Sequence, residues 1–317
     1  MNQINSQKTS MEVSILVPLF NEQENLELLM AKIQETMAPL GKRYEVIFVD
    51  DGSTDGSFQV LERMHAENER VKAIQFRMNH GKSAALAVGF EKASGEVIIT
   101  MDADLQDDPA EIPNLLGKLQ EGYDLVSGWK FKRRDPLSKT IPSRLFNRVT
   151  SLLSGIKIHD FNCGLKAYRR EVTENIRVYG ELHRYLPVLA HWRGFRIGEL
   201  KVRHHPRLHG KSKFGISRFI KGFLDLLTVL YLTKYTRRPM HLYGVLGLVL
   251  FLIGLIINLH LTWLWLHKVG IGRRPLLFLG VLLVIVGAQF LLMGLIGEMI
   301  TSQDRNRSDY SIKKMLT

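Results

Sequence analysis

The sequence predicts an α/β fold: a mostly parallel sheet with helices on both faces, followed by a C-terminal hairpin of two transmembrane helices. Two observations in the 317-residue chain support this prediction. Short apolar runs alternate with helix-length segments over the first hundred or so residues, a pattern typical of parallel sheets. Near the C-terminus, two apolar runs without formal charge are each long enough to cross a bilayer.

The strand–helix units follow one another along the first part of the chain. Strands are predicted where apolar residues are concentrated, over 13–20, 44–49, 71–76, 96–101 and 123–127. Helical spacing of apolar residues predicts helices after each of the first three strands, over 112–119 and around 145–153. Because ligands bind at the carboxyl ends of parallel strands, we expect Asp51, Asn79 and Asp104 around one crevice.

The C-terminal third has the pattern of a membrane protein. Residues 242–266 and 276–297 lack formal charge, and each can span roughly 30 Å of hydrocarbon as a helix. Dense apolar residues interrupted by Arg218 and Lys221 predict interfacial amphipathic helices over 213–240. More basic residues flank the hairpin than occupy its connecting loop, so both termini and the large domain are expected in the cytoplasm, at the inner or plasma membrane.

These features divide the chain into five segments. We predict a disordered lead-in over 1–10, a large domain over 11–212, juxtamembrane helices over 213–240, the two spans within 241–300 and a cytoplasmic tail over 301–317. The formal net charge is +12, and its Lys and Arg residues cluster near the apolar segments. The basic charge therefore favours a lipid bilayer rather than nucleic acid as the partner. Cys163 is the single cysteine, which excludes an internal disulfide.

Residues 102–109, "DADLQDDP", crowd four aspartates behind a predicted strand. Magnesium is usually held by one or two carboxylates together with substrate phosphates, and it can neutralise a diphosphate leaving group. Asp102 and Asp104 fit that role, and strand alternation would place Gln106 on the same side. The simpler alternative is a solvated turn or a helix cap, and we expect Asp107 and Asp108 to form such a cap before Pro109.

Six motifs in this order resemble one enzyme family: "VPLFNE" (17–22), "VDDGSTD" (49–55), "NHGKSAAL" (79–86), "DADLQDDP" (102–109), "HDFNCGLKAYRR" (159–170) and "HGKSKF" (209–214). They resemble the inverting family-2 glycosyltransferases with the GT-A fold. More narrowly, with the paired C-terminal spans, the chain looks like the polyprenyl-phosphate glycosyltransferases, which include dolichyl-phosphate mannose synthase and bacterial undecaprenyl-phosphate sugar transferases. The resemblance covers nearly the whole chain and implies a GT-A catalytic domain over 11–212.

The resemblance implies roles for particular residues. Those expected to bind the nucleotide sugar are Pro18, Phe20, Asn21, Glu22, Asp51, Ser53, Lys82, Asp102, Lys211 and Lys213. The residues expected to hold Mg²⁺ or Mn²⁺ are Asp102, Asp104 and Gln106, and the expected catalytic residues are Asp104 and Asp160. Lys82 could instead be an ordinary exposed lysine, and the "GKS" at 81–83 is not a P-loop because Phe76 stands where that motif needs glycine.

The implied acceptor is a polyprenyl phosphate. A phosphate monoester is largely a dianion at neutral pH, so it needs positioning and charge relief more than a strong base. The basic candidates for binding it are Arg133, Arg134, Arg144 and Arg148, which could alternatively bind anionic lipid without specificity. Asp160 could orient the acceptor, bind sugar hydroxyls or accept a proton, or it could cap the following segment.

The expected reaction is metal-dependent, inverting transfer of a hexose from a nucleotide sugar to polyprenyl phosphate at the cytoplasmic face, with UDP-glucose favoured over GDP-mannose. Transfer of N-acetylglucosamine or aminoarabinose is an alternative. A processive polysaccharide synthase is a further rival, but the sequence lacks the Gln-x-x-Arg-Trp motif. A non-catalytic sugar-nucleotide sensor is disfavoured because the acidic motif is intact. The resemblance also allows a homo-oligomer assembled through the membrane helices.

Overall fold

A computed structural model describes residues 11–131, 147–205 except 153 and 181, 239–270 and 275–303. The described residues up to 205 belong to one compact unit, and the two C-terminal helices belong to a second. The domain boundaries remain predictions. Several predictions lie outside the described residues: the lead-in, the amphipathic helices, most of the tail, and Arg133, Arg134, Arg144, Lys211 and Lys213.

The first unit contains a seven-stranded sheet. Its strands are β1 (Val13–Leu19), β2 (Tyr44–Asp50), β3 (Val71–Gln75), β4 (Val97–Thr100), β5 (Leu125–Lys130), β6 (Lys166–Arg169) and β7 (Ile197–Val202). Their order is β3-β2-β1-β4-β6-β5-β7. Only β6 runs antiparallel to its neighbours β4 and β5; the other pairs are parallel. The prediction of a mostly parallel sheet is confirmed.

Helices cover both faces of this sheet. They are α1 (Leu26–Met37), α2 (Ser57–Glu67), α3 (Lys82–Lys92), α4 (Ile112–Gln120), α5 (Arg170–Asn175) and α6 (Leu186–Trp192). Every residue of β1 and β2 is buried, as expected for central strands with apolar side chains on both faces. Alternation along β2 sends Val46 and Phe48 into one hydrophobic cluster and Ile47 and Val49 into the other.

One strand begins and ends later in the chain than the sequence predicts. β5 was expected over 123–127 but runs from Leu125 to Lys130, because it pairs with β7 along its whole length. Gly128 lies inside it, where a Cβ would approach Cys163 Sγ to 2.9 Å. Pairing therefore overrides the weak strand preference of glycine and lysine. Farther along, residues 147–152 are helical, within the range predicted around 145–153.

The second unit contains α7 (Pro239–Leu266) and α8 (Pro275–Gln303), which enclose both predicted spans. By length and composition, each is long and apolar enough to cross a membrane. The two helices pack closely through glycines. A Cβ at Gly247 would lie 2.7 Å from the carbonyl oxygen of Gly287, and one at Gly254 would lie 2.7 Å from that of Gly280. Small residues at such positions let two helix backbones approach each other.

Candidate active site

The loops after β1 and β2 are joined by hydrogen bonds. The backbone N–H of Asn21 donates to Ser53 Oγ at 2.8 Å, and Asn21 Oδ1 accepts from the Thr54 N–H at 2.8 Å. Asn21 has φ 57, a left-handed conformation that asparagine tolerates better than most residues. Its neighbours Phe20 and Glu22 are half-buried, whereas Pro18 is buried within β1. The predicted nucleotide-binding residues around Asn21 therefore lie at the carboxyl ends of β1 and β2, where hydrogen bonds hold the two loops together.

Asp51 attaches the loop after β3 to the same edge. Its carboxylate accepts hydrogen bonds from the backbone N–H groups of His80 (2.7 Å) and Gly81 (2.9 Å). Gly52 has φ +73, and a Cβ there would lie 2.6 Å from the carbonyl carbon of Met78, so the two loops touch through their backbones. The expected meeting of these loops is confirmed, while the contact of Asp51 with a nucleotide remains a prediction.

Lys82, the first residue of α3, forms an ion pair with Asp102, whose side chain is one-third exposed. Burial raises the pKa of Asp102, but the charges of Lys82 and Lys130 outweigh it, so that pKa lies well below its usual range. Gly164 lies against the same carboxylate, and a Cβ there would be 2.7 Å from Asp102 Cγ. Asp102 is therefore an ionised, accessible carboxylate at the end of β4.

The acidic loop turns sharply after β4. Alternation was expected to align Gln106 with Asp104, but this reasoning is wrong because β4 ends at Thr100 and Leu105 adopts φ 59. The Gln106 N–H instead folds back to donate to Asp104 Oδ1 at 3.2 Å. Asp104 is 7% exposed. Whether Gln106 contributes a metal ligand remains a prediction.

This acidic loop fits a magnesium-type site. Asp102 and Asp104 supply hard oxygen atoms, and the missing Cβ of Gly164 leaves room beside Asp102. Within the described ranges, no three His, Cys, Asp or Glu side chains group closely enough to hold a metal. A cation held by these two carboxylates would leave positions for substrate phosphates and water, which are common ligands of magnesium.

The prediction that Asp107 and Asp108 form a cap before Pro109 is confirmed for Asp108 and wrong for Asp107. Asp108 caps the turn over Pro109–Glu111 by accepting from the Ala110 N–H at 3.0 Å. Asp107 is instead fully buried, and its Oδ1 forms an ion pair with Lys130 Nζ at 3.1 Å. Burial lowers the pKa of Lys130, but the charge and hydrogen bond of Asp107, together with the Asp102 charge and Cys163, raise that pKa above its ordinary value. Lys130 of β5 therefore holds the acidic loop against this strand.

Asp160 precedes by four residues the Gly164 that lies against Asp102, and it is 1% exposed. Its Oδ1 accepts from the Asn162 N–H at 3.0 Å, and its backbone N–H donates to Glu199 Oε1 at 3.0 Å. The helical segment 147–152 carries the exposed Arg148. It contacts the residue before Asp160, since Asn147 Nδ2 donates to the His159 carbonyl at 2.8 Å. The structure thus brings the Arg148 segment next to the Asp160 loop.

Two groups in this region were missed by sequence reasoning. Lys166, the first residue of β6, is 3% exposed and donates to the carbonyl of Cys163. Burial lowers its pKa, while the charges of Asp160 and Asp102 act in the opposite direction. His183 Nδ1 lies 2.9 Å from Ser83 Oγ, and burial together with the Lys82 charge holds the pKa of His183 well below its ordinary value. A lysine within the apolar run "GLKAY" was the available signal for Lys166.

The chain beyond β7 returns to the acidic loop. The His205 N–H donates to the Gln106 carbonyl at 3.0 Å, and His205 Nε2 lies 3.0 Å from Asp108 Oδ2. Burial raises the pKa of Asp108, but the hydrogen bonds from His205 and the Ala110 N–H, together with nearby positive charge, lower that pKa overall. His205 therefore lies against the acidic loop.

Comparisons with known proteins agree with this geometry. Residues 14–177 match the model of "Glycosyl transferase family 2". The chain is 38% identical to dodecaprenyl-phosphate galacturonate synthase of Rhizobium johnstonii, over 92% of this chain and 88% of that one. It is 34% identical to undecaprenyl-phosphate 4-deoxy-4-formamido-L-arabinose transferase of Klebsiella pneumoniae, over 96% and 94% of the two chains.

Solved structures share the fold at low sequence identity. Glucosyl-3-phosphoglycerate synthase from Mycobacterium tuberculosis, in complex with Mn²⁺, uridine diphosphate and phosphoglyceric acid, superposes with a TM-score of 0.53 at 20% identity, covering 71% of this chain and 78% of that one. Mannosyl-3-phosphoglycerate synthase from Rubrobacter xylanophilus gives 0.53 at 13% identity, covering 71% and 75%. These likenesses support the fold.

The fold of the first unit is that of a GT-A glycosyltransferase, and a hairpin of two apolar helices follows it in the chain. The chain belongs to glycosyltransferase family 2, within the polyprenyl-phosphate glycosyltransferases. It is a membrane-associated enzyme, as the apolar helices and these relatives together indicate.

Proposed function

We propose that this enzyme transfers a sugar from a nucleotide sugar to a polyprenyl phosphate, with inversion and with Mg²⁺ or Mn²⁺, at the cytoplasmic face of the inner membrane. The observation that carries the proposal is the arrangement of two carboxylates, Asp102 and Asp104, at the end of β4, between the fixed loops after β1–β3 and the Asp160 loop. This arrangement supports a donor held on one side and an acceptor on the other.

Asp102 and Asp104 would hold the metal, which would neutralise the departing diphosphate. Lys82 pairs with Asp102, so its ammonium is placed to bind the same diphosphate. An oxygen of the acceptor phosphate attacks the anomeric carbon from the face opposite the leaving group. The carbon–oxygen bond to the diphosphate breaks, and the nucleoside diphosphate leaves with that electron pair.

Asp160 would orient the acceptor or the sugar hydroxyls. Asp160→Asn should lower turnover more than tenfold, since a positioned group commonly contributes about 10²-fold or more, and leave nucleotide affinity nearly unchanged. Asp124→Asn is a matched control. Asp124 directly precedes β5, at the end of that strand opposite the acidic loop, and its carboxylate accepts from the Arg196 N–H. Unchanged turnover in Asp160→Asn would remove this residue from the mechanism.

The names of the relatives guide the choice of donor. They suggest galacturonate or 4-formamido-arabinose, whereas UDP-glucose rests on the sequence expectation alone. Full-length enzyme should be incubated with undecaprenyl phosphate, magnesium or manganese, and UDP-galacturonate, UDP-4-formamido-arabinose, UDP-glucose or GDP-mannose in turn, and the lipid products weighed by mass spectrometry. One donor should yield a metal-dependent lipid-linked sugar. Donor binding without any lipid product would instead support a sensor.

A further inference from the structure

An aromatic cluster, formed by Trp129, Phe131, His159 and Lys201, lies beside Asp160 and has no role in the mechanism above. The rings of Trp129 and His159 are stacked, with centroids 4.0 Å apart and planes 10° from parallel. Phe131 meets Trp129 edge-on at 5.0 Å. Lys201 Nζ lies 4.5 Å from the Phe131 ring centroid and 5.3 Å from that of Trp129. The cluster thus combines apolar rings with one ammonium group.

Glu199 fixes this cluster to the Asp160 loop. Its Oε2 pairs with His159 Nδ1 at 2.7 Å, and its Oε1 accepts from the backbone N–H groups of His159 (2.7 Å) and Asp160 (3.0 Å). Ser127 Oγ also donates to the Asp160 carbonyl, at 3.3 Å. The position of the His159 ring and that of the Asp160 backbone are therefore set by the same carboxylate.

The sheet order places the cluster away from the donor loops. The loops with the predicted nucleotide-binding residues follow β1, β2 and β3, and the acidic loop follows β4 near the middle of the sheet. Trp129 belongs to β5 and Lys201 to β7, on the other side of β4. A ligand on the cluster would therefore approach the acidic loop from the side opposite the nucleotide.

The side chains of the aromatic cluster are accessible to solvent. Phe131 is 53% exposed, the His159 side chain is 64% exposed, and Lys201 is exposed as well. Exposed rings that carry a cation suit a ligand with an apolar chain and an anionic head. A prenyl phosphate has both, whereas a nucleotide or a free sugar lacks the apolar chain.

We propose that the aromatic cluster is the subsite for the first isoprene units and the phosphate of the acceptor. The isoprene chain packs on Phe131 and the outer face of the His159–Trp129 stack, and Lys201 contacts the phosphate. This proposal rests on the proposed function, since it assigns the acceptor of that reaction to named side chains.

The test uses full-length protein in detergent and two probes, farnesyl phosphate and methyl phosphate, which has no prenyl chain. Affinities are measured by calorimetry without donor. Trp129→Leu and Phe131→Ala should each weaken farnesyl phosphate binding about tenfold, equivalent to about 1.4 kcal/mol, and leave methyl phosphate binding unchanged. Lys201→Gln should weaken both probes severalfold. Phe131→Ala keeps the test informative even if Trp129→Leu misfolds, because that ring is half exposed.

Tyr123→Leu is the matched control. Tyr123 also packs with two cations, Lys118 at 5.2 Å and Arg196 at 5.5 Å, but it precedes β5 at the opposite end of that strand. Its replacement should change neither affinity. Wild-type affinity for farnesyl phosphate in Phe131→Ala and Trp129→Leu, or no binding of farnesyl phosphate to the wild type, would overturn the proposal.

Two further outcomes separate this proposal from its neighbours. If the ring variants keep wild-type affinity for farnesyl phosphate but lose binding to phosphatidylglycerol vesicles that contain no prenyl phosphate, the cluster contacts the bilayer surface and the proposed subsite is wrong. If farnesyl phosphate binds through the rings but no sugar is transferred from any nucleotide sugar to it or to undecaprenyl phosphate, the proposed function fails while the subsite stands. If sugar is transferred but the ring variants keep the wild-type KM for farnesyl phosphate, the subsite fails while the proposed function stands.

Discussion

Replacing Lys130 by methionine tests how the acidic loop is held. Lys130 Nζ lies 3.1 Å from Asp107 Oδ1, and the two side chains are 13% and 0% exposed. The other oxygen of Asp107 accepts only a long bond from the Asp102 N–H, at 3.4 Å. Methionine keeps much of the length and apolar volume of lysine but removes its charge, so Lys130→Met leaves a buried carboxylate without its counter-ion.

The expected cost is large. Removing one partner of a buried ion pair typically destabilises a protein by about 3–5 kcal/mol, because the remaining charge stays buried and uncompensated. For a domain of this size, 1 kcal/mol shifts Tm by about 2–4 °C, so we expect Tm to fall by about 10 °C. Since the Asp107 segment carries the proposed metal ligands, the metal concentration needed for half-maximal activity should also rise.

Thermal unfolding in detergent, followed by near-ultraviolet circular dichroism, measures this loss. The pair Asp107→Asn with Lys130→Met should recover more than half of it, since the double variant buries no unpaired charge. Lys92→Met is the control, because Lys92 is 59% exposed and its ion pair with Glu91 is at the surface. A Lys130→Met variant within about 1 kcal/mol of wild type, or no recovery in the double variant, would refute the reasoning.

The contribution of Lys130 to the stability of the wild type should not depend on pH near neutrality. The folded pKa of Lys130 is raised, so the stability it contributes is fully present below the unfolded pKa of about 10.4 and is lost only as pH rises through the folded value. The Tm of the wild type should therefore show no step from the titration of Lys130 between about pH 6 and about pH 9.

Two glycine pairs give the remaining predictions. Gly164→Ala places a Cβ 2.7 Å from Asp102 Cγ and should raise the metal requirement about tenfold in an activity titration, whereas Gly117→Ala, with nothing within 4 Å, should leave it unchanged. Gly52→Ala combines φ +73 with a contact of 2.6 Å to backbone and should cost more than about 2 kcal/mol in chemical denaturation. Gly41→Ala, with φ +60 in open space, should cost only about 1 kcal/mol; equal losses would show that the close contact is relieved without cost.

Local pattern was sufficient for the central part of the fold. The apolar stripe of α1 and the fully buried β1 and β2 were predictable because their burial follows from the period of their own side chains. The same holds for α7 and α8, which the sequence predicted from the length and apolar composition of each segment. The meeting of the loops after β2 and β3, which carry Asp51 and Asn79, followed from parallel topology.

Tertiary partners decided the rest. Asp107 and Asp108 are adjacent and chemically identical, so the sequence treated them alike as a cap. Only Asp108 caps the turn, because Asp107 faces inward, where Lys130 from a distant strand neutralises it. The same holds for Lys166, buried near Asp102 and Asp160 by strand pairing. The sequence by itself determined β1 to β4, α1 to α4 and the two long apolar helices, since periodicity and composition are local properties. The strands β6 and β7 and the ionic contacts of the site depend on residues that meet only after the sheet has formed.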